Sequence, residues 1–302
     1  MSFWQRLKLK PLTKQASSAL SRPRFAPEFV PRPFGSIGPE TGLEPLLPEK
    51  SGEKLENVLI LAHPGHELRI HHWLEIAKPR VYLLTDGSGG KETSRTRYSR
   101  DLVEAAGATR GAVFGEIPDG AWYEALLAGN HDFLIDVFSR VRADLTTAKN
   151  VQIVSDAVDG YNPIHDLAFA FGQALCRGLR KTAQVGKQLC SAAVPNVAGR
   201  VESAIQLSPA ARARKIAAVE NYSPLADEAR RILERDPQCF DRENLMSQDF
   251  DWNSSWTPEW ERIGKQRVAD GRYRQCITYR DNVQPAARRL MSESAAVFAA
   301  AN

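Results

Sequence analysis

The strongest constraint on the fold is a set of short, wholly apolar runs set between longer helical stretches. In Asn57-Val58-Leu59-Ile60-Leu61-Ala62 every residue after the first is apolar. Such a run has no face to give to water, so a strand made of it must be buried on both sides. Arg80 to Thr85, Ala112-Val113-Phe114 and Val151 to Val154 read as further strands of this kind. Between them lie helical patterns over His66 to Ala77, 91–106, 121–145 with a break at Gly129, and Ile164 to Arg180. Strand and helix in alternation imply a parallel sheet covered on both faces. The expected fold class is α/β, an open and mostly parallel doubly wound sheet of Rossmann-like type. An α-rich C-terminal extension begins at about residue 200. It comprises a long helical segment from Pro209 to Arg235, an irregular stretch over 239–256, a helix over 257–268 and an alanine-rich closing helix over 284–300.

Residues 1–50 have a different character and are expected to form a basic, proline-rich tail ahead of a single domain over 51–302. They hold eight of the 18 prolines, a density that excludes helix interiors and central strands. They also hold eight basic and four acidic residues, which is the whole of the chain's +4 formal charge. Such a segment suits an extended arm wrapping the domain, an organelle-targeting peptide, or weak contact with an anionic membrane or a partner. The remaining residues are electrically neutral, so no nucleic-acid partner is expected. No apolar stretch approaches the roughly 18 residues of a membrane span. Four widely spaced cysteines, at 176, 190, 239 and 276, suggest no zinc ribbon, redox pair or disulfide framework. A reducing, cytoplasmic setting with buried thiols is expected.

Open α/β sheets bind ligands outside the carboxyl ends of their strands. That rule selects Ala62 to Glu67, Thr85 to Gly90, and Ser155 through His165. Three of the six histidines, His63, His66 and His165, lie in these segments. Two nearby imidazoles joined by a distant third is a familiar layout for a catalytic zinc site. A helical His-Glu-x-x-His pattern is absent, since Ile70 stands where its second histidine would be. The plainer reading is that these histidines cap strand and helix ends.

Ala62-His63-Pro64-Gly65-His66-Glu67 resembles the Ala-His-Pro-Asp-Asp-Glu motif of the PIG-L/LmbE family of metal-dependent de-N-acetylases. Thr85-Asp86-Gly87 is similar to a Thr-Asp-Gly turn of that family, and Arg95, Arg97 and Arg100 to its Arg-rich helix. Tyr161 to Asp166 fits the motif of its distant histidine, and Lys215 to Tyr222 its downstream helix. The resemblance spans roughly residues 55–225 and implies a metal, Zn2+ or another divalent ion, held by His63, His66 and His165. The chain departs from the pattern at three places. His66 stands for a ligand aspartate, Gly65 for the aspartate that acts as general base, and Asn162 for a histidine that assists the oxyanion.

The implied activity is hydrolytic removal of an N-acetyl group from a sugar or sugar-containing metabolite. Glu67 or Asp86 would then move protons, Asn162 would hold the oxyanion, and Arg97, Arg100 and Tyr161 would bind substrate. Plainer roles remain open: a first-turn helix acid for Glu67, a turn residue for Asp86, solvated charges for the arginines. A non-catalytic metal- or sugar-binding relative and a metal-dependent esterase are the alternative functions. Trp252, Trp256, Trp260 and Tyr273 suit either sugar stacking or packing.

Overall fold

The computed structural model describes residues 54–89, 93–194 and 197–296; the tail over 1–50 lies outside the described residues. Strands β1 (Leu55–Leu61), β2 (Arg80–Leu83), β3 (Thr109–Phe114), β4 (Asn150–Asp156), β5 (Gln184–Val185), β6 (Leu189–Ser191), β7 (Arg200–Gln206) and β8 (Arg242–Ser247) form one sheet in the order β3-β2-β1-β4-β6-β8-β7, with β5 also paired to β4. All pairings from β3 to β6 are parallel, and β8 and β7 join antiparallel. The expected α/β class and mostly parallel sheet are what the chain forms. In β1, Val58 and Ile60 pack into one hydrophobic core while Leu59 and Leu61 pack into another. Alternate side chains of one apolar run thus feed the two faces of the sheet.

The helices are α1 (His71–Ala77), α2 (Thr96–Ala105), α3 (Asp119–Ala128), α4 (His131–Ala143), α5 (Pro163–Leu179), α6 (Pro209–Asn221), α7 (Ser223–Arg235), α8 (Glu259–Ala269) and α9 (Gln284–Ala296). Helix α5 is apolar on nearly every side and buried along most of its length, with α9 packed against it. Its start is set by Pro163 in the first turn and by the Asn162 side chain, which accepts from Ile164 N. No described helix is long and apolar enough to cross a membrane.

Three expectations are corrected. The helix expected over His66 to Ala77 is a 3₁₀ segment (His66–Ile70) followed by α1. The long segment from Pro209 to Arg235 is two helices: the backbone leaves helical geometry at Tyr222, with ψ 73°, and Pro224 in the first turn of α7 has no N–H to carry the ladder across. The stretch over 239–256 contains β8, and β5, β6 and β7 were likewise not expected. These strands are short or half-exposed and lack a continuous apolar run.

Candidate functional site

From β1 the chain runs through β2 to β3 on one side, while β4 lies against β1 on the other, so the crevice above β1 and β4 is a topological switch point. His63 and His66 follow β1, and His165 lies in the first turn of α5 after β4. Their rings form a triangle with centroids 5.3, 5.1 and 4.6 Å apart.

Each ring is anchored by a different aspartate through Nδ1. His63 Nδ1 lies 3.1 Å from Asp119 Oδ1 and 2.8 Å from Thr85 Oγ1. His66 Nδ1 lies 2.8 and 3.0 Å from the Asp156 oxygens, and His165 Nδ1 lies 2.8 Å from Asp159 Oδ2. A carboxylate only accepts, so the proton belongs on Nδ1 and the lone pair on Nε2. Burial pushes the His66 and His165 imidazoles below their ordinary pKa, against the pull of Asp156 and Asp159. Burial alone would raise Asp119 and Asp156. The histidines, with Arg69 beside Asp156, hold both carboxyls well below the usual range. Imidazoles whose Nδ1 is fixed by a carboxylate present Nε2 as the free ring nitrogen. Imidazole is a donor type that binds divalent metals. Among the described residues, however, no group of three or more His, Cys, Asp or Glu side chains is arranged so that it could hold a metal ion.

Asp156 does more than orient His66. Its Oδ2 accepts from Ala62 N at 2.7 Å, and Oδ1 accepts from Arg69 Nη2 at 2.5 Å, so the ends of β1 and β4 and the 3₁₀ segment converge on one buried carboxylate. Asp166, behind the site, accepts from Asp159 N, Gly160 N and Trp260 Nε1, which steadies the loop carrying Asp159. Burial and nearby Asp159 push its carboxyl up to about 7.

The histidines open on a cavity of about 770 Å³. Tyr161 and Asn162 line it, and Asn162 Nδ2 donates to Tyr123 Oη at 3.0 Å. Glu67 and Asp86, the expected proton carriers, are not on its wall. The fully buried Glu67 accepts from Gly65 N and from Ser99 Oγ, and burial raises its pKa. Asp86 Oδ1 accepts from Ser88 N, Ser88 Oγ and Asp119 N, as a turn residue does. Arg97 and Arg100 also lie off the wall. Both are exposed, beside Tyr98 and Asp101 respectively. Arg95, at the start of the same helix, lines the cavity instead. Arg95 Nε and Arg69 Nη1 are buried without a hydrogen-bond partner among the described residues. Of the aromatic residues, Trp252, Trp260 and Tyr273 are buried away from this cavity, and Trp252 and Trp256 pack against Phe250 and Tyr279.

Sequence reasoning missed Asp119, Asp156, Asp159 and Arg95 as site residues. Asp156 and Asp159 fall within the segment selected by the strand-end rule, and a buried acid closing an apolar strand was a usable signal. Asp119 carried no such signal.

Gly65 has φ 103° and ψ −14°. A Cβ there would run into Leu225 Cδ1 on α7, with the Tyr222 ring behind it. Glycine at this position is therefore a demand of the local backbone and of α7.

No protein-family model matches the chain, and no curated protein matches it. Among solved structures it is similar to the zinc-inhibited form of teicoplanin deacetylase Orf2, with TM-score 0.44 and 15% identity, over 64% of this chain and 100% of that one. A deacetylase triple mutant, Orf2*T, from the teicoplanin biosynthetic pathway gives TM-score 0.41 and 16% identity over 65% of this chain and 100% of that one. A deacetylase–bog complex from that pathway gives 0.39 and 16% over 64% and 100%. Likeness of this degree leaves the chemistry of the site to be argued from its own residues.

Proposed function

We propose that the protein is a metal-dependent amide hydrolase, with zinc as the first candidate metal, that removes an N-acetyl or related N-acyl group from a sugar-containing metabolite. The observation that carries this reading is the triangle of His63, His66 and His165, each with Nδ1 tied to its own aspartate at the switch point of the sheet. The motif resemblance over Ala62 to Glu67 and at His165 supports it.

In this reading Nε2 of the three histidines holds the metal, and Asp119, Asp156 and Asp159 fix the tautomers and ring directions. A bound divalent ion supplies Lewis acidity and brings the pKa of a water toward about 7. Arg95 and Arg69 line the cavity and bring positive charge to it for substrate oxygens. Asn162, braced by Tyr123 and by Ile164 N, has a second Nδ2 hydrogen for the developing oxyanion. Tyr161, 60% exposed at the rim, is placed to stack on or hydrogen-bond a sugar. Glu67 acts through Gly65 and Ser99 as a positioning residue, since its carboxylate is turned away from the cavity.

Gly65 favours a second reading, a non-catalytic metal- or sugar-binding protein, because glycine stands where the resembling family has the aspartate that acts as general base. Metal analysis and turnover separate the two. Wild type should purify with, or take up, one divalent ion per chain, and His63→Ala and His165→Ala should each lose it. Hydrolysis of N-acetyl sugars, with O-acetyl sugars inert, supports the amide hydrolase. A metal-loaded, folded protein inactive on both panels supports the binder. Retention of the ion by both variants removes the site itself.

A further inference from the structure

Trp260 differs from the other aromatic residues of the C-terminal extension. It lies in the first turn of α8, is buried, and does not line the cavity beside the histidines. Both of its N–H groups nevertheless hold the loop that carries Asp159, one directly and one through Asp166. Its backbone N donates to Gly160 O at 2.9 Å. Its Nε1 donates to Asp166 Oδ2 at 2.7 Å, and Asp166 Oδ1 accepts in turn from Asp159 N at 3.0 Å and Gly160 N at 3.1 Å. Neighbours of Trp260 close the loop from outside. A Cβ on Gly160, at φ 65°, would meet the Trp256 ring at 3.0 Å and Pro258 Cβ at 3.4 Å. The loop in turn aims the Asp159 carboxylate. Oδ1 accepts from Tyr161 N at 2.8 Å, and Oδ2 lies 2.8 Å from His165 Nδ1. That carboxylate is fully enclosed, so no solvent stands by to replace a partner if the loop shifts.

We propose that Trp260 is a positioning residue for His165: it holds Asp159 in register through Asp166 and Gly160, and so fixes the direction and tautomer of the His165 ring. The positioning role stands on these hydrogen bonds, and only its consequence for turnover rests on the hydrolase reading above. Without the indole N–H, Asp166 Oδ2 is a buried acceptor that has lost its donor. A carboxyl freed on one side rotates toward the backbone N–H groups it already holds, and the turn at 159–160 moves with it. Asp159 Oδ2 is then carried out of line with His165 Nδ1, and a hydrogen bond weakens steeply as its angle is lost. The proton on His165 loses its preference for Nδ1 and is shared between the two ring nitrogens. His63 and His66 are anchored to Asp119, at the start of α3, and Asp156, at the end of β4. These two rings should not respond.

The test is nuclear magnetic resonance on full-length protein with isotope-labelled histidine, treated with a chelator and held at a mildly alkaline pH where imidazoles are neutral. Long-range proton–nitrogen correlations read the tautomer of each ring. In wild type His63, His66 and His165 should each appear as one tautomer, protonated at Nδ1. In Trp260→Phe the two nitrogen shifts of His165 should converge toward the average of the tautomers, while those of His63 and His66 hold. Trp252→Phe is the control. It removes another buried indole N–H, bonded to Gln173 Oε1 at 2.6 Å, and should leave all three rings as they are. If Trp260→Phe does not fold, Asp166→Asn, which turns an amide N–H against the indole, should produce the same change at His165. Unmoved His165 shifts in a folded variant overturn the proposal. An equal response of all three rings, or the same response in Trp252→Phe, also overturns it, since either is general loosening. On the zinc-loaded protein, Trp260→Phe should lower kcat for an N-acetylated sugar about tenfold with KM unchanged, the lower end of what groups behind a ligating imidazole supply. A His165-specific shift in a protein whose wild type turns over no N-acetyl sugar supports the positioning role and overturns the hydrolase reading.

Discussion

Replacing Gly65 by alanine tests why the resembling family's carboxylate is missing from this chain. At φ 103° and ψ −14° the backbone is outside the region an L-residue adopts readily, a strain of about 1–3 kcal/mol. The added Cβ also forces Leu225 Cδ1 aside. Leu225 is half-buried and its end can rotate, at roughly 0.5–1.5 kcal/mol for a strained rotamer. Gly65→Ala should therefore lose about 2–4 kcal/mol, or roughly 5–15 °C in Tm for a domain of this size. Urea denaturation of the full chain measures the loss. In a double-mutant cycle with Leu225→Ala, the coupling energy isolates the collision, and the residue that remains is backbone strain. Gly65→Asp should carry the same cost, because aspartate shares the Cβ. A Gly65→Ala protein within about 0.5 kcal/mol of wild type would refute the backbone argument, since surface-like substitutions fall in that range.

Lys215 is buried and donates to Glu243 Oε1 at 2.8 Å and Arg69 O at 2.7 Å, while Glu243 accepts from His72 N and Trp73 N at the start of α1. Lys215→Met leaves that carboxylate buried without its counter-charge and should cost about 3–5 kcal/mol in chemical denaturation, with partial recovery in Lys215→Met/Glu243→Gln. Burial pushes the Cys176 and Cys190 thiols up to about 12, so iodoacetamide should label partly exposed Cys239 and Cys276 first in the native protein. Mass spectrometry showing early labelling of Cys190 would contradict this. Arg214, with His72, holds the Glu75 carboxyl down at about 2, from an ordinary 4.5. A depressed carboxylate contributes stability above its unfolded pKa and loses it as the pH falls through the folded one. Glu75→Gln should therefore flatten the acid decline in stability between about pH 4.5 and about pH 2; an unchanged slope across that window would count against the pair.

Much of the scaffold was legible because it depends on local pattern. The run ending in Leu61 has to be buried on both faces wherever it lies, and α5 is apolar all round because it is enclosed. With those strands placed, the strand-end rule was enough to bring His63, His66 and His165 together from residues about a hundred apart. Other features had no local signature. Arg95 and Arg97 look equivalent along the chain, but two positions on a helix are about 200° of rotation, and only Arg95 faces the cavity. Strand β7 lies at the edge with most side chains exposed, and β8 beside it is polar at Arg242, Glu243, Asn244 and Ser247, so no apolar run announced them.

The sequence by itself determined the alternation, hence the parallel sheet, hence the edge at which three imidazoles meet. Tertiary structure alone decided which groups orient them. Asp119 reaches His63 across 56 positions, Asp156 reaches His66 across 90, and Leu225 closes the space that a side chain at position 65 would need. The reason is physical. Burial of a strand or a helix face is a sum over near neighbours and leaves its period in the chain. A hydrogen bond to a ring nitrogen, or a methyl standing where a Cβ would be, depends on one distance between distant residues, and no period records it.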